Sequence, residues 1–561
     1  MSSDDVLERL KCILNDIYPK ENMEKAFQEL KDLMDEYGSN ETILEKRRKY
    51  DDQIVLNEDD AILITYADSI SKDGEKPLRT LHRFLKNHVK DAITGVHILP
   101  FFPSSSDGGY SIIDYKSVDQ ELGAWEDIRE IAKDYRLMSD LVMNHVSTQS
   151  EWFKGFLRDE EPYNDYFISF DQRVDMPNVF RPRMHPLLTE FDTAAGKRYV
   201  WTTFSQDQVD LNFHNLKVTL EIIRVLLFYL SQGIEIIRLD AIGYVWKEPD
   251  SSCVNLPKTH EMVKLLSTVL EYVAPYAITI TEVNFPYKYN ISYLEERHEA
   301  HMAYHFSLPP LVIDSFTRKD TSYLQEETAR IRQDLVFFNF LASHDGIGLL
   351  SARQILRPPC FDLLLKTVTD HGGLISFKAT KEGRTPYELN ITYYDAVNDP
   401  FNPDQEADVR RFIAANSTML VDKGIPGIYI HCLLGSRNWI KGIEETGINR
   451  MINREKLSEE RVVEDLSDPT SVRYQVLNRL VHLLEVRKQI KAFHHSTARE
   501  VIHSDERLFI IERQHQDGSV YSVINVSNDA IGLPEYNGKY DLIEKTQFNG
   551  NIEPYGIYML K

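Results

Sequence analysis

Four short segments of the sequence combine apolar residues with carboxylate, imidazole and guanidinium side chains. They occupy residues 141–145, 236–240, 280–284 and 342–345, and each is an apolar run that ends in polar groups. Such runs are typical of buried strands. In a parallel α/β barrel, catalytic groups lie at the C-terminal ends of successive strands. The segments therefore predict one pocket with three carboxylates, one arginine and two histidines. That set suits cleavage of a glycosidic bond.

Alternating strand-like and helical stretches must position these groups. The strand-like runs lie at residues 62–66, 95–100, 138–143, 235–240, 278–283, 303–308, 337–343 and 425–430. Eight such runs predict a (β/α)8 barrel, of the TIM type, in the α/β class. About ninety residues separate the third and fourth runs, and about eighty separate the last two. Both insertions are expected on the catalytic face, where βα loops form substrate sites.

The predicted organisation has three parts. Residues 1–58 carry leucines at helical spacing and predict an N-terminal helical extension. Residues 59–495 form the catalytic barrel, with insertions at about 146–215 and 350–410. Residues 496–561 alternate apolar and polar positions between turn residues, which predicts a small C-terminal β domain.

Composition narrows the class of partner. The net charge is −23, from 64 basic and 87 acidic side chains. This balance argues against nucleic acid and anionic membranes as partners. The four cysteines are scattered and form no CxxC pair, and no run of 18 apolar residues or signal-like N-terminus occurs. We therefore expect a cytoplasmic protein that binds small molecules, and a homodimer remains open.

Five motifs carry a family resemblance. Residues 63–68, 97–103, 106–110, 238–244 and 343–348 resemble the α-amylase clan of glycoside hydrolases, and within it the sucrose phosphorylase group. The resemblance extends over roughly residues 60–561. It implies a retaining double displacement, in which Asp240 is the nucleophile and Glu282 the acid/base. Asp345 would bind sugar hydroxyls beside the reacting carbon, and Arg238 would keep Asp240 ionised.

The resemblance also implies a set of glucose contacts. His145 and His344 match the family's donors to sugar hydroxyls. Asp107 and Arg450 match a pair that holds the far edge of one glucosyl unit and so blocks longer glucans. Two tyrosines would supply the platform and wall of the site, namely Tyr110 and Tyr244. In true amylases the asparagine equivalent to Asn144 helps to bind calcium. No cluster of aspartates completes such a site here, so we expect no metal.

Release of the glucosyl group by phosphate requires a cation and a hydroxyl beside the reacting carbon. By resemblance, Arg183 would bind phosphate, and Tyr387 would lie on a loop that changes between phosphate and acceptor arrangements. Residues 181–191, 385–390 and 434–438 are similar to the glucosylglycerate phosphorylase branch, whereas sucrose phosphorylases have glutamine at the position of Glu388. In this branch Arg183 and Glu388 would contact glycerate.

The resemblance implies phosphorolysis of 2-O-α-D-glucosyl-D-glycerate to α-D-glucose 1-phosphate and D-glycerate. Inorganic phosphate is then a co-substrate, and no cofactor is expected. Alternatives are a sucrose, sucrose 6-phosphate or glucosylglycerol phosphorylase, or an α-glucosidase or transglucosidase on the same scaffold. A catalytically dead binding subunit would have lost carboxylates, whereas Asp240, Glu282 and Asp345 are all present.

Overall fold

Eight parallel strands close into a barrel. The computed structural model describes residues 3–19, 23–295, 298–380 and 383–561. The barrel strands are β1 (Ile62–Thr65), β2 (Gly95–Ile98), β3 (Arg136–Val142), β4 (Ile234–Asp240), β5 (Ile278–Thr281), β6 (Met302–Tyr304), β7 (Phe337–Phe340) and β8 (Ile425–Tyr429). Each strand pairs with its sequence neighbours, and β1 pairs with β8 to complete the ring. The predicted (β/α)8 barrel is confirmed.

The apolar runs form strands because both of their faces are covered. Every residue of β4 is buried, and its register with β3 places Arg238 opposite Asp140. The outer faces pack against helices that follow the strands. These helices are Pro77–Phe84, Trp125–Asp134, Leu216–Ser231, Pro257–Val273, Tyr287–Glu295, Leu308–Arg318, Gln405–Val421 and Val472–Lys488, with Ser322–Arg330 added after the sixth. The sixth predicted strand was too long, because a helix already begins at Leu308, with Pro309 and Pro310 in its first turn.

Two insertions lie after β3 and β7. The first contains the strands His145–Ser147, Ser169–Phe170, Leu188–Thr193, Gly196–Trp201 and Gln208–Asp210 and the helix Glu151–Leu157. The second contains the helices Ala352–Ile355, Pro358–Asp370 and Tyr393–Val397, and the antiparallel strands Ile347–Gly348, Leu374–Thr380 and Gly383–Asn390. After β8 come the helices Ile430–Leu433, Ile440–Thr446 and Glu459–Ser467. A two-stranded sheet pairs Leu457–Ser458 with Ile70–Ser71.

Three helices precede the barrel, at Ser3–Ile17, Met23–Gly38 and Glu41–Tyr50. They lie against the outer helices Leu216–Ser231 and Pro257–Val273. Lys46 forms an ion pair with Glu235 at the start of β4, and Tyr18 donates a hydrogen bond to the carbonyl oxygen of Phe213 at 3.0 Å. These contacts attach the extension to the barrel.

The chain ends in an antiparallel sheet. Its six strands are Ala498–Val501, Leu508–Gln514, Val520–Asn525, Tyr540–Asp541, Thr546–Gln547 and Ile557–Leu560, and a two-stranded sheet joins Ile531–Gly532 to Asn551–Ile552. The predicted C-terminal sheet is present. The exact domain boundaries stay a prediction. Among the described helices, none is long and apolar enough to span a membrane.

Candidate active site

One cavity opens at the C-terminal end of the barrel. Its lining includes twelve of the thirteen residues that the sequence analysis assigned to the site: Asp107, Tyr110, His145, Arg183, Asp240, Tyr244, Glu282, His344, Asp345, Tyr387, Glu388 and Arg450. The thirteenth, Arg238, lies beneath the cavity floor and is 2% exposed. The structure therefore brings the whole predicted set together, although it does not test the role of any member.

The floor is a buried network around Arg238. Its Nη1 atom lies 2.7 Å from Asp240 Oδ1 and also donates a hydrogen bond to Asp140. Asp140 Oδ2 lies 2.7 Å from His97 Nε2. Although burial opposes the shift, His97 and Arg238 lower the pKa of Asp140 to about 2. Arg238 thus lies between two carboxylates, and its geometry is fixed by both.

Glu282 faces Asp240 from the end of the neighbouring strand. Its Oε2 atom accepts a hydrogen bond from the backbone N–H of Ala241 at 3.1 Å. Ala241 has φ of 47°, a left-handed conformation that is unfavourable for a residue with a Cβ atom. The N–H that follows Asp240 points toward Glu282. This hydrogen bond therefore fixes the position of the Glu282 carboxyl relative to that of Asp240.

The two carboxyls share the electrostatic influence of Arg238. Burial raises the pKa of Glu282, the Arg238 guanidinium opposes this shift, and the charge of Asp345 adds to it. Burial also raises the pKa of Asp240, but the Arg238 guanidinium opposes this shift. Two carboxylates in one buried cavity each disfavour the ionisation of the other. The 2.7 Å ion pair with Arg238 favours the ionised form of Asp240. This arrangement suits a nucleophile and a general acid.

Asp345 is the third carboxylate, and three arginines lie around it, namely Arg238, Arg450 and Arg454. Arg450 Nη1 lies 2.5 Å from its Oδ1, and His344 Nε2 lies 3.4 Å from its Oδ2. Although burial opposes the shift, Arg450, His344 and Arg238 lower the pKa of Asp345. Arg454 Nη2 lies 4.0 Å away. Asp345 is therefore ionised and held in place in the cavity lining.

Glu388 is engaged by protein rather than left free for an acceptor. Arg450 donates from Nε to Glu388 Oε1 at 2.8 Å and from Nη2 to Oε2 at 3.0 Å. The backbone N–H of Gly346 also donates to Oε1, at 2.5 Å. Glu388 is 2% exposed. The side chain thus orients Arg450 through a bidentate ion pair, a function that the sequence analysis did not anticipate.

Asp107 lies across the cavity, where Gln208 Nε2 donates to its Oδ2 at 3.1 Å. It has φ of 54°, and the adjacent Gly108 has φ of 60°, so two left-handed residues form this turn. A Cβ atom at Gly108 would lie 2.6 Å from Arg454 Nη1 and 2.8 Å from the Tyr66 hydroxyl. Glycine is therefore required for the turn to pass over Arg454. Asp107 and Arg450 both line the cavity, but Asp107 contacts Gln208, whereas Arg450 contacts Asp345 and Glu388.

Aromatic rings form the cavity wall and mouth. Tyr110 stacks on His344, with 4.8 Å between ring centroids and an interplanar angle of 6°. Tyr244 lies 5.2 Å from Phe204 and 6.0 Å from Phe285. His145 Nε2 lies 3.0 Å from the carbonyl oxygen of Tyr110 and 3.1 Å from Gln208 Nε2, and His145 Nδ1 lies 3.2 Å from Asn144 Nδ2. Flat rings are suitable surfaces for a sugar.

Arg183 and Tyr387 come from different insertions and meet at the mouth. The Arg183 guanidinium lies 5.8 Å from the Phe204 ring centroid. Burial raises the pKa of Tyr387 to about 12, and the Arg183 charge opposes this shift. Tyr387 therefore keeps its proton at neutral pH and can donate a hydrogen bond.

Several site residues were not predicted. Phe204, Gln208 and Phe285 line the cavity, and Arg454 donates to the carbonyl oxygen of His344 at 2.7 Å. One signal was available for Arg454, because Asn449-Arg450 is repeated as Asn453-Arg454. Phe204 and Gln208 lie in the first insertion and Phe285 in the loop after β5, segments whose folding the strand pattern does not specify.

A buried lysine lies at the asparagine that raised the question of calcium. Lys247 Nζ lies 2.7 Å from Asp210 Oδ2 and donates to Asn144 Oδ1 at 2.5 Å. It also donates to the carbonyl oxygen of Tyr244. The lysine ammonium supplies the positive charge between these oxygens. Within the described ranges, no group of three or more histidine, cysteine or acidic residues could hold a metal ion.

Comparison with known proteins gives the family. The alpha-amylase catalytic domain family matches residues 87–351. A glucosylglycerate phosphorylase from Spirochaeta thermophila is 46% identical over 528 residues, 93% of this chain and 89% of the relative. Another, from Escherichia coli, is 39% identical over 531 residues, 92% of this chain and 94% of the relative.

A solved structure shares the fold. The sucrose 6F-phosphate phosphorylase from Thermoanaerobacter thermosaccharolyticum superposes with a TM-score of 0.75 at 25% identity, covering 84% of this chain and 95% of that one. The barrel, the cavity and the two relatives agree on one assignment. The chain is an enzyme that belongs to the glucosylglycerate phosphorylase family, whose catalytic domain is of the alpha-amylase type.

Proposed function

We propose that this enzyme is a retaining phosphorylase that cleaves 2-O-α-D-glucosyl-D-glycerate with inorganic phosphate. The products are α-D-glucose 1-phosphate and D-glycerate. The observation that carries the proposal is the Asp240–Glu282 pair, which shares one cavity with the cation of Arg183. The 46% identity to a protein named as a glucosylglycerate phosphorylase supports the choice of substrate.

In the first displacement, a carboxylate oxygen of Asp240 attacks the anomeric carbon. Glu282 donates its proton to the departing glycerate oxygen, so D-glycerate leaves as an alcohol and Glu282 becomes ionised. The result is a covalent β-glucosyl ester on Asp240. In the second displacement, a phosphate oxygen attacks the same carbon from the face opposite Asp240, the proton of that phosphate hydroxyl passes to Glu282, and Asp240 leaves as a carboxylate. Two inversions give net retention, and the product is the α-anomer.

Asp345 and Arg450 would hold the glucosyl unit. The Arg450 side chain is fixed by Asp345 and Glu388, so its remaining donors are presented in a defined direction. Groups with fixed geometry stabilise the transition state without reorganisation. The network of Asp345, Arg450 and Glu388 therefore favours a single terminal glucosyl unit.

Phosphate rather than water would be the second nucleophile because of the charges at the mouth. Arg183 lines the cavity and forms no ion pair with any described carboxylate. An unpaired guanidinium near the reacting carbon offers parallel N–H donors that match a phosphate or carboxylate. The same cation can bind the carboxylate of glycerate in one half-reaction and phosphate in the other, because the two ligands alternate.

We further propose that the reaction needs no cofactor and no metal, and that the enzyme acts in the cytoplasm. The ammonium of Lys247, buried between Asn144 and Asp210, supports metal-free catalysis because it already provides the positive charge there. Four cysteines without a disulfide among them support a reducing compartment.

Incubation of the enzyme with α-D-glucose 1-phosphate and separate acceptors tests the proposal. The acceptors are D-glycerate, glycerol, fructose and fructose 6-phosphate. D-Glycerate should be glucosylated with a specificity constant at least about a hundred-fold above those of glycerol and fructose, because a neutral acceptor leaves the cation unpaired. Equal efficiency with fructose or glycerol would leave the reaction class intact and refute the glycerate assignment.

A further inference from the structure

A second cation lies beside Tyr387, which lines the cavity, and it belongs to the other insertion from Arg183. Lys378 is half-buried in the strand Leu374–Thr380, which pairs with the strand that carries Tyr387. Its Nζ atom is 4.3 Å from the ring centroid of Phe180 and 5.8 Å from that of Tyr387. Lys378 therefore joins the two insertions at the rim of the site.

Of the two rings beneath Lys378, Tyr387 lines the cavity and Phe180 packs against rings that do. Phe180 lies 5.1 Å from Phe285 and 6.3 Å from Tyr244, and both of these rings line the cavity. Phe180 is also only three residues before Arg183 in the first insertion. The contacts of Lys378 with Phe180 and Tyr387 therefore place its ammonium beside a wall of the cavity that Arg183 also lines.

Lys378 has no counter-charge in the part of the chain that the structure describes. Neither it nor Arg183 forms an ion pair with a described carboxylate, in a chain with a net charge of −23. Burial lowers the pKa of Lys378, and the nearby charge of Arg353 adds to the shift. Arg353 itself donates to the carbonyl oxygen of Pro386 at 3.3 Å, next to Tyr387. Unneutralised, partly desolvated cations are unfavourable unless an anion completes the site.

We propose that Lys378 and Arg183 together form a two-cation clamp for the anionic group that enters or leaves beside the glucosyl unit. This inference rests on the proposed function, in which both alternating ligands, phosphate and a small hydroxy acid, are anions. Arg183 provides a planar donor pair from one insertion. Lys378 provides a point charge with rotatable donors from the other, and its long side chain can follow ligands of different size. Lys378 is thus a specificity-determining residue for anionic ligands.

The test compares Lys378→Ala with the unchanged enzyme in three reactions. Hydrolysis of α-D-glucosyl fluoride involves no anionic acceptor and provides the reference rate. Exchange of labelled inorganic phosphate into α-D-glucose 1-phosphate requires phosphate but no acceptor. Transfer from α-D-glucose 1-phosphate to D-glycerate requires both anions. Lys366→Ala is the matched control, since Lys366 lies on the same insertion but is exposed and bound to Asp370.

In Lys378→Ala we expect the apparent KM for phosphate, for D-glycerate or for both to rise about ten- to a hundred-fold, while the reference rate of α-D-glucosyl fluoride hydrolysis stays close to that of the unchanged enzyme. Lys378→Arg should keep KM values close to those of the unchanged enzyme, because arginine retains the positive charge. A rise for one anion alone supports a clamp for that anion. Unchanged KM values for both anions, or a parallel fall in all three reactions, would overturn the proposal.

The readouts also separate this inference from the substrate assignment. Failure of wild-type enzyme to glucosylate D-glycerate refutes the proposed acceptor, but phosphate exchange still measures the effect of Lys378. A thermal melt of each variant identifies any loss of folding. Lys378→Gln, which keeps the length of the stem, replaces the alanine variant if that variant melts early.

Discussion

Replacement of Glu388 by glutamine distinguishes two roles for this residue. The sequence suggested that Glu388 contacts the acceptor, whereas the structure engages both of its carboxylate oxygens with Arg450 and the N–H of Gly346. In Glu388→Gln, the amide oxygen can still accept from Gly346 and from Arg450 Nε. The amide NH2 group then faces Arg450 Nη2, and two donors cannot bond. One charge-assisted hydrogen bond is lost.

The size of the effect follows from that single bond. A hydrogen bond to a charged group contributes roughly 1.5–3 kcal/mol, and each 1.4 kcal/mol is a factor of ten. Since the pair is buried, solvent screens the loss little. Arg450 retains Asp345 at 2.5 Å, so it is expected to shift rather than leave the site. We therefore expect kcat/KM to fall about ten- to a hundred-fold.

The decisive observation is which reactions change. Under the proposed function Arg450 holds the glucosyl unit in every reaction, so hydrolysis of α-D-glucosyl fluoride, phosphate exchange and transfer to D-glycerate should all fall by similar factors. Glu190→Gln is the matched control, because Glu190 is an exposed glutamate in the first insertion that pairs with Lys197. A change confined to the KM for D-glycerate, with hydrolysis unaffected, would refute the positioning role of Glu388. It would instead support a direct contact between Glu388 and the acceptor.

Three further predictions concern the remaining charges. Asp240→Asn and Glu282→Gln should each abolish phosphorolysis while thermal melts stay close to wild type, and near-normal turnover in either variant would refute the double displacement. Arg183→Ala should reduce phosphorolysis about ten- to a hundred-fold more than hydrolysis, whereas a parallel decline would make Arg183 structural. Because burial and Asp345 raise the pKa of Glu282, which must be protonated to act as an acid, kcat/KM should fall as pH rises through that pKa. A pH profile that decreases only toward acid would contradict this assignment.

The barrel could be predicted from the sequence because each of its strands is covered on both faces. A strand such as β4, buried throughout, must be an uninterrupted apolar run, and its polar end then marks the site. Asp240, Glu282 and Asp345 were found in this way. Family resemblance located Arg183 and Tyr387 on insertions that the strand pattern alone leaves undefined.

Contacts between distant parts of the chain were not predicted from the sequence. Glu388 and Arg450 are 62 positions apart, and Arg454 and His344 are 110 apart. A single sequence contains no signal for the packing of one insertion against another. The left-handed conformation of Ala241 was equally invisible, because alanine has no preference for it.

Closure of the barrel has a consequence for how the chain is made. β1 pairs with β8, and the buried guanidinium of Arg487 donates to the carbonyl oxygen of Glu58, 429 positions earlier. A ribosome that adds about 5–20 residues per second needs roughly 18–73 seconds to synthesise the chain from β1 to its partner β8. During that time β1 has an unpaired edge, which is a template for aggregation. The catalytic cavity can form only after the residue at position 450 has emerged.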